Sequence, residues 1–333
     1  MIKIFQTMED GLMDEITAFQ KGCWIDLVNP TDDEVETVVE ATGIPEDMLK
    51  AALDEEETAR YENEDGNSLF VFDVPIIEDM EDWYVYSTLP MAFIYNRNCV
   101  VTVSIKENAI IREFTGNRVK GVTTERPVKF LLNFMYRTAV KYLQYLRQID
   151  KTSHRVQAEL HRSMKNKELI QLLDLENSLV YFSTSLTANE KVLDRVRKLE
   201  RVKNDEENED LLDDVMIEHR QASEMCNIYR DILSGTMDAF ASVISNNVNV
   251  VMKTLTIITI VMTIPTLIAS LWGMNVPVPF AGSKYGFWIL IGFCVLCALV
   301  GTVVLMKMTS GIRFNRARKR ERITPRRRER RTK

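Results

Sequence analysis

The chain has 333 residues, 46% apolar and 27% charged, enough for one ordinary domain and a further segment. Its charge is divided: the first 250 residues hold 27 Lys or Arg against 46 Asp or Glu, a formal net charge of −19, whereas residues 307–333 hold 13 against two, or +11. Five cysteines, at 23, 99, 226, 294 and 297, form no closely spaced even framework, which argues against a disulfide scaffold and fits a reduced, cytosol-facing chain.

The first ten residues, Met1 to Asp10, contain no apolar run of signal-peptide length and turn acidic at once, so the N-terminus is expected in the cytosol. β-rich runs at residues 2–5, 23–28, 69–77, 83–95 and 99–105 predict strands. Between the second and third, Thr31-Asp32-Asp33-Glu34 follows Pro30 and fits a capping box, in which Thr31 and Glu34 satisfy each other's backbone donors at a helix start. Gly43-Ile44-Pro45 breaks that helix, and a second is expected from Glu46 toward Glu57. Residues 1–126 therefore read as a cytosolic α/β domain with a mixed sheet.

Pro127 suits a first helical turn, and the next 145 residues contain one further Pro, Pro265, and one Gly, Gly235. Helices are expected at about 127–165, 167–202 and 208–272, parted by the polar stretches at Lys165-Asn166-Lys167 and Lys203-Asn204-Asp205. The third passes without a break from a cytosolic region, 127–250, into an apolar one, a stalk about 98 Å long at 1.5 Å per residue. Residues 254–283 carry no charged side chain, and after Lys284 the run 285–306 is again uncharged. Each is long enough for a bilayer core, which takes about 20 helical residues. Two spans are expected, 251–272 and 285–306, joined by an external loop at 273–284. The basic segment 307–333 reads as a cytosolic tail obeying the positive-inside rule and available to anionic lipid headgroups, with no nucleic-acid partner implied. Both termini then face the cytoplasm, and the protein belongs in the plasma or inner membrane. Cys294 and Cys297 form a CxxC in mid-span with no second pair or nearby His, and read as packing residues.

Along the third helix, Asp238, Ser242, Ser245, Asn249, Met252, Thr256, Thr259, Thr263, Thr266 and Ser270 recur at steps of four and three. All but Met252 are polar, whereas the other faces of the span are mostly aliphatic. A polar stripe of this period faces away from lipid, toward a bundle interior or a water-filled path. Isolated hydroxyls in membrane helices often bond only their own i−4 carbonyls, but five on one stripe favour a pore lining. Two spans do not enclose a pore, so several copies are required. Where the stripe ends, the chain reads Trp272-Gly273-Met274-Asn275-Val276-Pro277, and Asn275 is the one strong neutral oxygen ligand there. Mg²⁺ gives up its six waters slowly, so a fast pore accepts the hydrated ion through outer-shell hydrogen bonds. A ring of amide oxygens does this without the tight grip of carboxylates.

The Gly273-Met274-Asn275 triplet between two C-terminal spans, with Tyr229-Arg230-Asp231-Ile232-Leu233-Ser234-Gly235 and the run from Ser245 to Ile257, resembles the CorA family of magnesium transport proteins over nearly the full length. The resemblance implies an α+β membrane protein: an N-terminal α/β cytosolic domain, a long helical stalk and two C-terminal transmembrane helices, assembled as a homopentameric funnel. It implies that Gly273, Met274 and Asn275 form the selectivity loop, with Asn275 meeting the hydrated ion. Thr266, Thr263, Leu255, Met252 and Asn249 then line the pore going inward, and Asp238 sits near its inner mouth. Thr263 departs from the family pattern, where many relatives carry Met, and the width there is open. The resemblance also implies gating by cytosolic Mg²⁺ between neighbouring subunits, with Asp214, beside Asp213, as the matching position; a solvated acidic helix face is the alternative. Mg²⁺ is thus expected both as transported ion and as regulator.

No GxxxxGK[ST] loop is present, which argues against an ATP-driven pump. A membrane potential of about 100 mV gives a divalent ion roughly 4.6 kcal/mol. No nucleophile elbow or HExxH occurs, so no enzymatic activity is expected. Co²⁺, Ni²⁺ or Zn²⁺ carried by the same fold is the nearest alternative, although the three His, at 154, 161 and 219, lie outside the stripe. A membrane-tethered scaffold or sensor is the alternative from another class; it predicts no polar stripe and no demand on Asn275.

Overall fold

The structure is a computed structural model that describes residues 1–80, 82–163, 166–274 and 284–321. It forms two compact units, Met1–Met237 and Asp238–Lys333.

The first unit is built on a seven-stranded sheet of order β2-β1-β3-β7-β6-β5-β4. Its strands are β1 (Ile2–Thr7), β2 (Met13–Ile16), β3 (Cys23–Val28), β4 (Arg60–Glu64), β5 (Asn67–Met80), β6 (Trp83–Tyr95) and β7 (Cys99–Ser104). All pairings are antiparallel except β3 with β7. Both faces are covered, which is why β7 is buried from end to end and reads as an apolar run. One face carries Ile25, Leu27, Val71, Ile94 and Val101 under α1 (Asp32–Thr42) and α2 (Glu46–Lys50), which add Val35, Val38, Met48 and Leu49. The other carries Trp24, Phe70, Phe72 and Phe93 against α3 (Ala109–Thr115), α4 (Pro127–Ser163) and the later helices, through Phe114, Phe130, Phe134 and Val192.

The expected capping box is present: the backbone N–H of Glu34 donates to Thr31 Oγ1, and that of Thr31 to Glu34 Oε2. Gly43 ends α1 at φ 72°, a left-handed conformation that glycine adopts without Cβ strain. The second helix stops at Lys50 and closes with one 3-10 turn, Ala51–Leu53, well short of Glu57. Three short elements, β2, β4 and α3, lie where the sequence had predicted no strand or helix. For β4 the signal was there: Asp65 and Gly66, both at positive φ, make the two-residue turn that pairs Glu64 with Asn67.

The long helices start close to expectation. After α4 come α5 (Asn166–Val196), α6 (Glu200–Lys203) and α7 (Glu206–Trp272), so the helix expected at 167–202 is interrupted before α6. Asp205 opens α7, with the Glu207 N–H donating to its carboxylate at 3.2 Å. Arg126 and Lys129 both pair with Glu207, and Arg126 also with Asp205, tying the start of α4 to the start of α7. Those partners hold the Glu207 carboxyl below its ordinary pKa, Lys129 most of all. In the second unit α8 (Gly286–Glu321) follows α7 and continues as helix past residue 306 into the basic segment.

Candidate ion-conduction face

Asp238, Ser242, Ser245, Asn249, Met252, Thr256, Thr259, Thr263, Thr266 and Ser270 are all exposed on α7, as is Leu255, which flanks the row. A second row on the same helix is partly covered: Ile257, Val261, Ile264, Ile268 and Trp272. At 3.6 residues per turn its centre lies roughly 160° from that of Thr256, Thr259, Thr263, Thr266 and Ser270. Within this row Ile264, and beside it Pro265, meet α8. A Cβ built on Gly301 would stand 3.6 Å from Ile264 Cδ1, and the Cys294 thiol lies 3.9 Å from the Pro265 carbonyl. The polar stripe therefore occupies the side of α7 turned away from α8.

Along the stripe five hydroxyls share one orientation. Thr256, Thr259, Thr263 and Thr266 each donate to the carbonyl four residues earlier, at 2.8 to 2.9 Å, and Ser242 does so at 3.0 Å to Asp238. The i−4 bonding weighed against a pore lining is thus present. It does not silence the hydroxyl, because a donor spent on the backbone leaves the oxygen lone pairs outward. Such an oxygen accepts from the waters of a hydrated cation and offers no proton to an anion. Pro265 lies inside this helix and removes the backbone donor that the Val261 carbonyl would otherwise receive.

Gly273 and Met274 follow the last turn, with the Gly273 N–H donating to the Ala269 carbonyl at 3.0 Å; both are exposed. Asn275 lies outside the described residues. Asp213 and Asp214 are exposed on α7, while the neighbouring Leu212, Val215 and His219 are buried in the first unit. Among the described residues, no group of three or more His, Cys, Asp or Glu side chains is placed to hold a metal ion. Among those residues, one chain therefore brings no third such ligand to Asp213 and Asp214.

Two juxtapositions were invisible in the sequence. His219 is a core residue, its Nε2–H donating to the Leu186 carbonyl at 2.9 Å. Cys23 and Cys99, 76 positions apart, are register partners on β3 and β7.

Two helices of the structure, Glu206–Trp272 and Gly286–Leu305, are long and apolar enough to cross a membrane. The model of the CorA-like Mg²⁺ transporter protein family matches residues 19–307. The chain belongs to this family. CorA-like proteins are divalent metal ion transporters of membranes, not enzymes. A CorA relative, the cobalt/magnesium transport protein of Methanocaldococcus jannaschii, is 25% identical over 311 residues, covering 90% of this chain and 96% of its own. The complete structure of the CorA magnesium transporter from that organism superposes with a TM-score of 0.75 at 22% identity, over 91% of this chain and 96% of that one. The full-length CmaX protein shares the fold at a TM-score of 0.63 and 14% identity, over 92% and 97% of the two chains.

Proposed function

We propose that this CorA-like chain admits Mg²⁺ to the cell through a central pore formed by five copies, driven by the membrane potential. The observation that carries the reading is the exposed hydroxyl row on the side of α7 opposite α8. With α8 outermost, that row faces the axis of a ring, and its acceptor oxygens match the outward-pointing protons of a hydrated cation. Gly273, Met274 and Asn275 form the outer selectivity ring, Asn275 meeting the hydrated ion. Met252 and Leu255 make an apolar constriction, with Asn249 and Asp238 toward the inner mouth. Both termini lie in the cytoplasm, and the basic tail rests against anionic headgroups.

Gating follows from charge. Acidic first units brought side by side repel one another, and a cytosolic Mg²⁺ bridging Asp213 and Asp214 to a neighbouring subunit relieves that repulsion. Loss of the ion lets the subunits separate and the pore open. Co²⁺ is the second reading, supported by the cobalt/magnesium name of the Methanocaldococcus relative; hydrated Ni²⁺ is of the same kind.

The test is ion influx into proteoliposomes under an inside-negative potential, comparing wild type with Asn275→Ala for Mg²⁺, Co²⁺, Ni²⁺ and Zn²⁺. Mg²⁺ flux that disappears in the variant supports the reading. Flux of the transition metals alone makes one of them the substrate, and stable rings that pass nothing make the protein a scaffold.

A further inference from the structure

Cys23 begins β3 and Cys99 begins β7, and the parallel pairing puts their Cα atoms in direct register. Neighbouring strands run about 4.8 Å apart, and register partners in a parallel pair project to the same face. Both side chains do so here, joining Ile25 and Val101 on the face beneath α1 and α2. They are 1% and 6% exposed, yet both line a single cleft of about 210 Å³ at the end of the sheet. The exposed Gln20, Lys21 and Asn98 surround its mouth, and the thiols lie below them. Neither cysteine is in a disulfide, and the Cys99 thiol faces the Asn96 side-chain oxygen at 3.6 Å.

We infer that Cys23 and Cys99 form a binding site for a soft monovalent d¹⁰ cation, Cu(I) being the probe, held between the two sulfurs at the floor of this cleft. Two cysteine sulfurs at the floor of the cleft, once they give up their protons to the metal, select soft ions over hard ones. Among the described residues no third His, Cys, Asp or Glu completes the higher-coordinate cage that Zn²⁺ takes. Binding is balanced in charge and protons: one Cu⁺ replaces the two S–H protons, which leave to solvent. The bis-thiolate complex carries one negative charge, and Lys21 at the mouth of the cleft offsets it. The site lies in the first unit and is independent of the conduction face.

The test is anaerobic titration of the reduced full chain in detergent with Cu(I), against a chromophoric Cu(I) chelator. One Cu(I) per subunit is expected for wild type and for Cys294→Ser/Cys297→Ser, with binding lost in Cys23→Ser and in Cys99→Ser. Retention in both single variants, or loss confined to the Cys294→Ser/Cys297→Ser chain, overturns the site. Because a serine under the sheet can loosen it, copper X-ray absorption on Cys294→Ser/Cys297→Ser gives a second reading with both cleft thiols intact. Two sulfur neighbours support the site, and a nitrogen or oxygen shell overturns it.

Discussion

Asp26 is 2% exposed, accepts from the Thr102 hydroxyl at 2.7 Å, and has its pKa pushed up to about 6, chiefly by burial. A carboxyl raised in this way favours the folded state while protonated; its contribution is complete below the unfolded value of 3.8 and is lost as pH rises through about 6. Asp26→Asn keeps an acceptor for Thr102 and removes the buried charge. It is expected to stabilise the chain at pH 7.5 by up to about 3 kcal/mol and to change little near pH 3.5, as read by thermal unfolding at the two pH values. His219 acts in the opposite sense. Burial lowers its pKa against the opposing pull of the Leu186 carbonyl and Glu190, so stability is full above about 6.5 and falls as pH drops below it. His219→Gln should flatten the acid limb of the unfolding profile.

On α7 the elements set the terms for conduction. Thr259→Val and Thr263→Val keep shape and remove the outward oxygen together with an intrahelical hydrogen bond. Helix content should hold while Mg²⁺ flux falls roughly fivefold for each hydroxyl, the equivalent of one hydrogen bond; unchanged flux in both would place the ion path elsewhere. The α7–α8 contact is tested at Gly301. Its missing Cβ leaves ordinary contact distance to Ile264, so Gly301→Ala should be tolerated. Gly301→Leu overfills the contact and should cost about 1–3 kcal/mol, visible as a lower melting temperature in detergent.

For the whole molecule, the relevant quantity is a formal −19 over the first 250 residues, repeated in each copy of the proposed ring. A ring of such surfaces should be less stable without a divalent ion. Chelating Mg²⁺ is expected to lower the temperature at which the detergent-solubilised assembly dissociates, with restoration by Mg²⁺ in wild type. Restoration should be weaker, and inhibition of influx by internal Mg²⁺ relieved, in Asp213→Ala/Asp214→Ala. Inhibition left intact in that variant would assign gating to other carboxylates.

Local patterns in the chain were enough to mark the two apolar helices, the charge asymmetry, the Thr31 cap and the helix start at Pro127, because each depends on residues within a turn or two of one another. The strands at 23–28 and 99–105 were legible for the same reason, their burial on both faces leaving nearly unbroken apolar runs, as does the buried second half of the strand at 83–95. The short β2 and α3 were not, since so few residues carry too little periodicity to stand out from a loop. In the candidate conduction face, the 4-3 spacing of the hydroxyls was readable in one dimension. That this row turns away from α8 depends on which side Ile257, Val261, Ile264 and Ile268 bury, and α8 decides that. The pairing of Cys23 with Cys99 and the burial of His219 beneath Leu186 belong to the tertiary structure alone: strand order and helix docking bring together groups 76 and 33 positions apart, and no local interaction encodes either meeting.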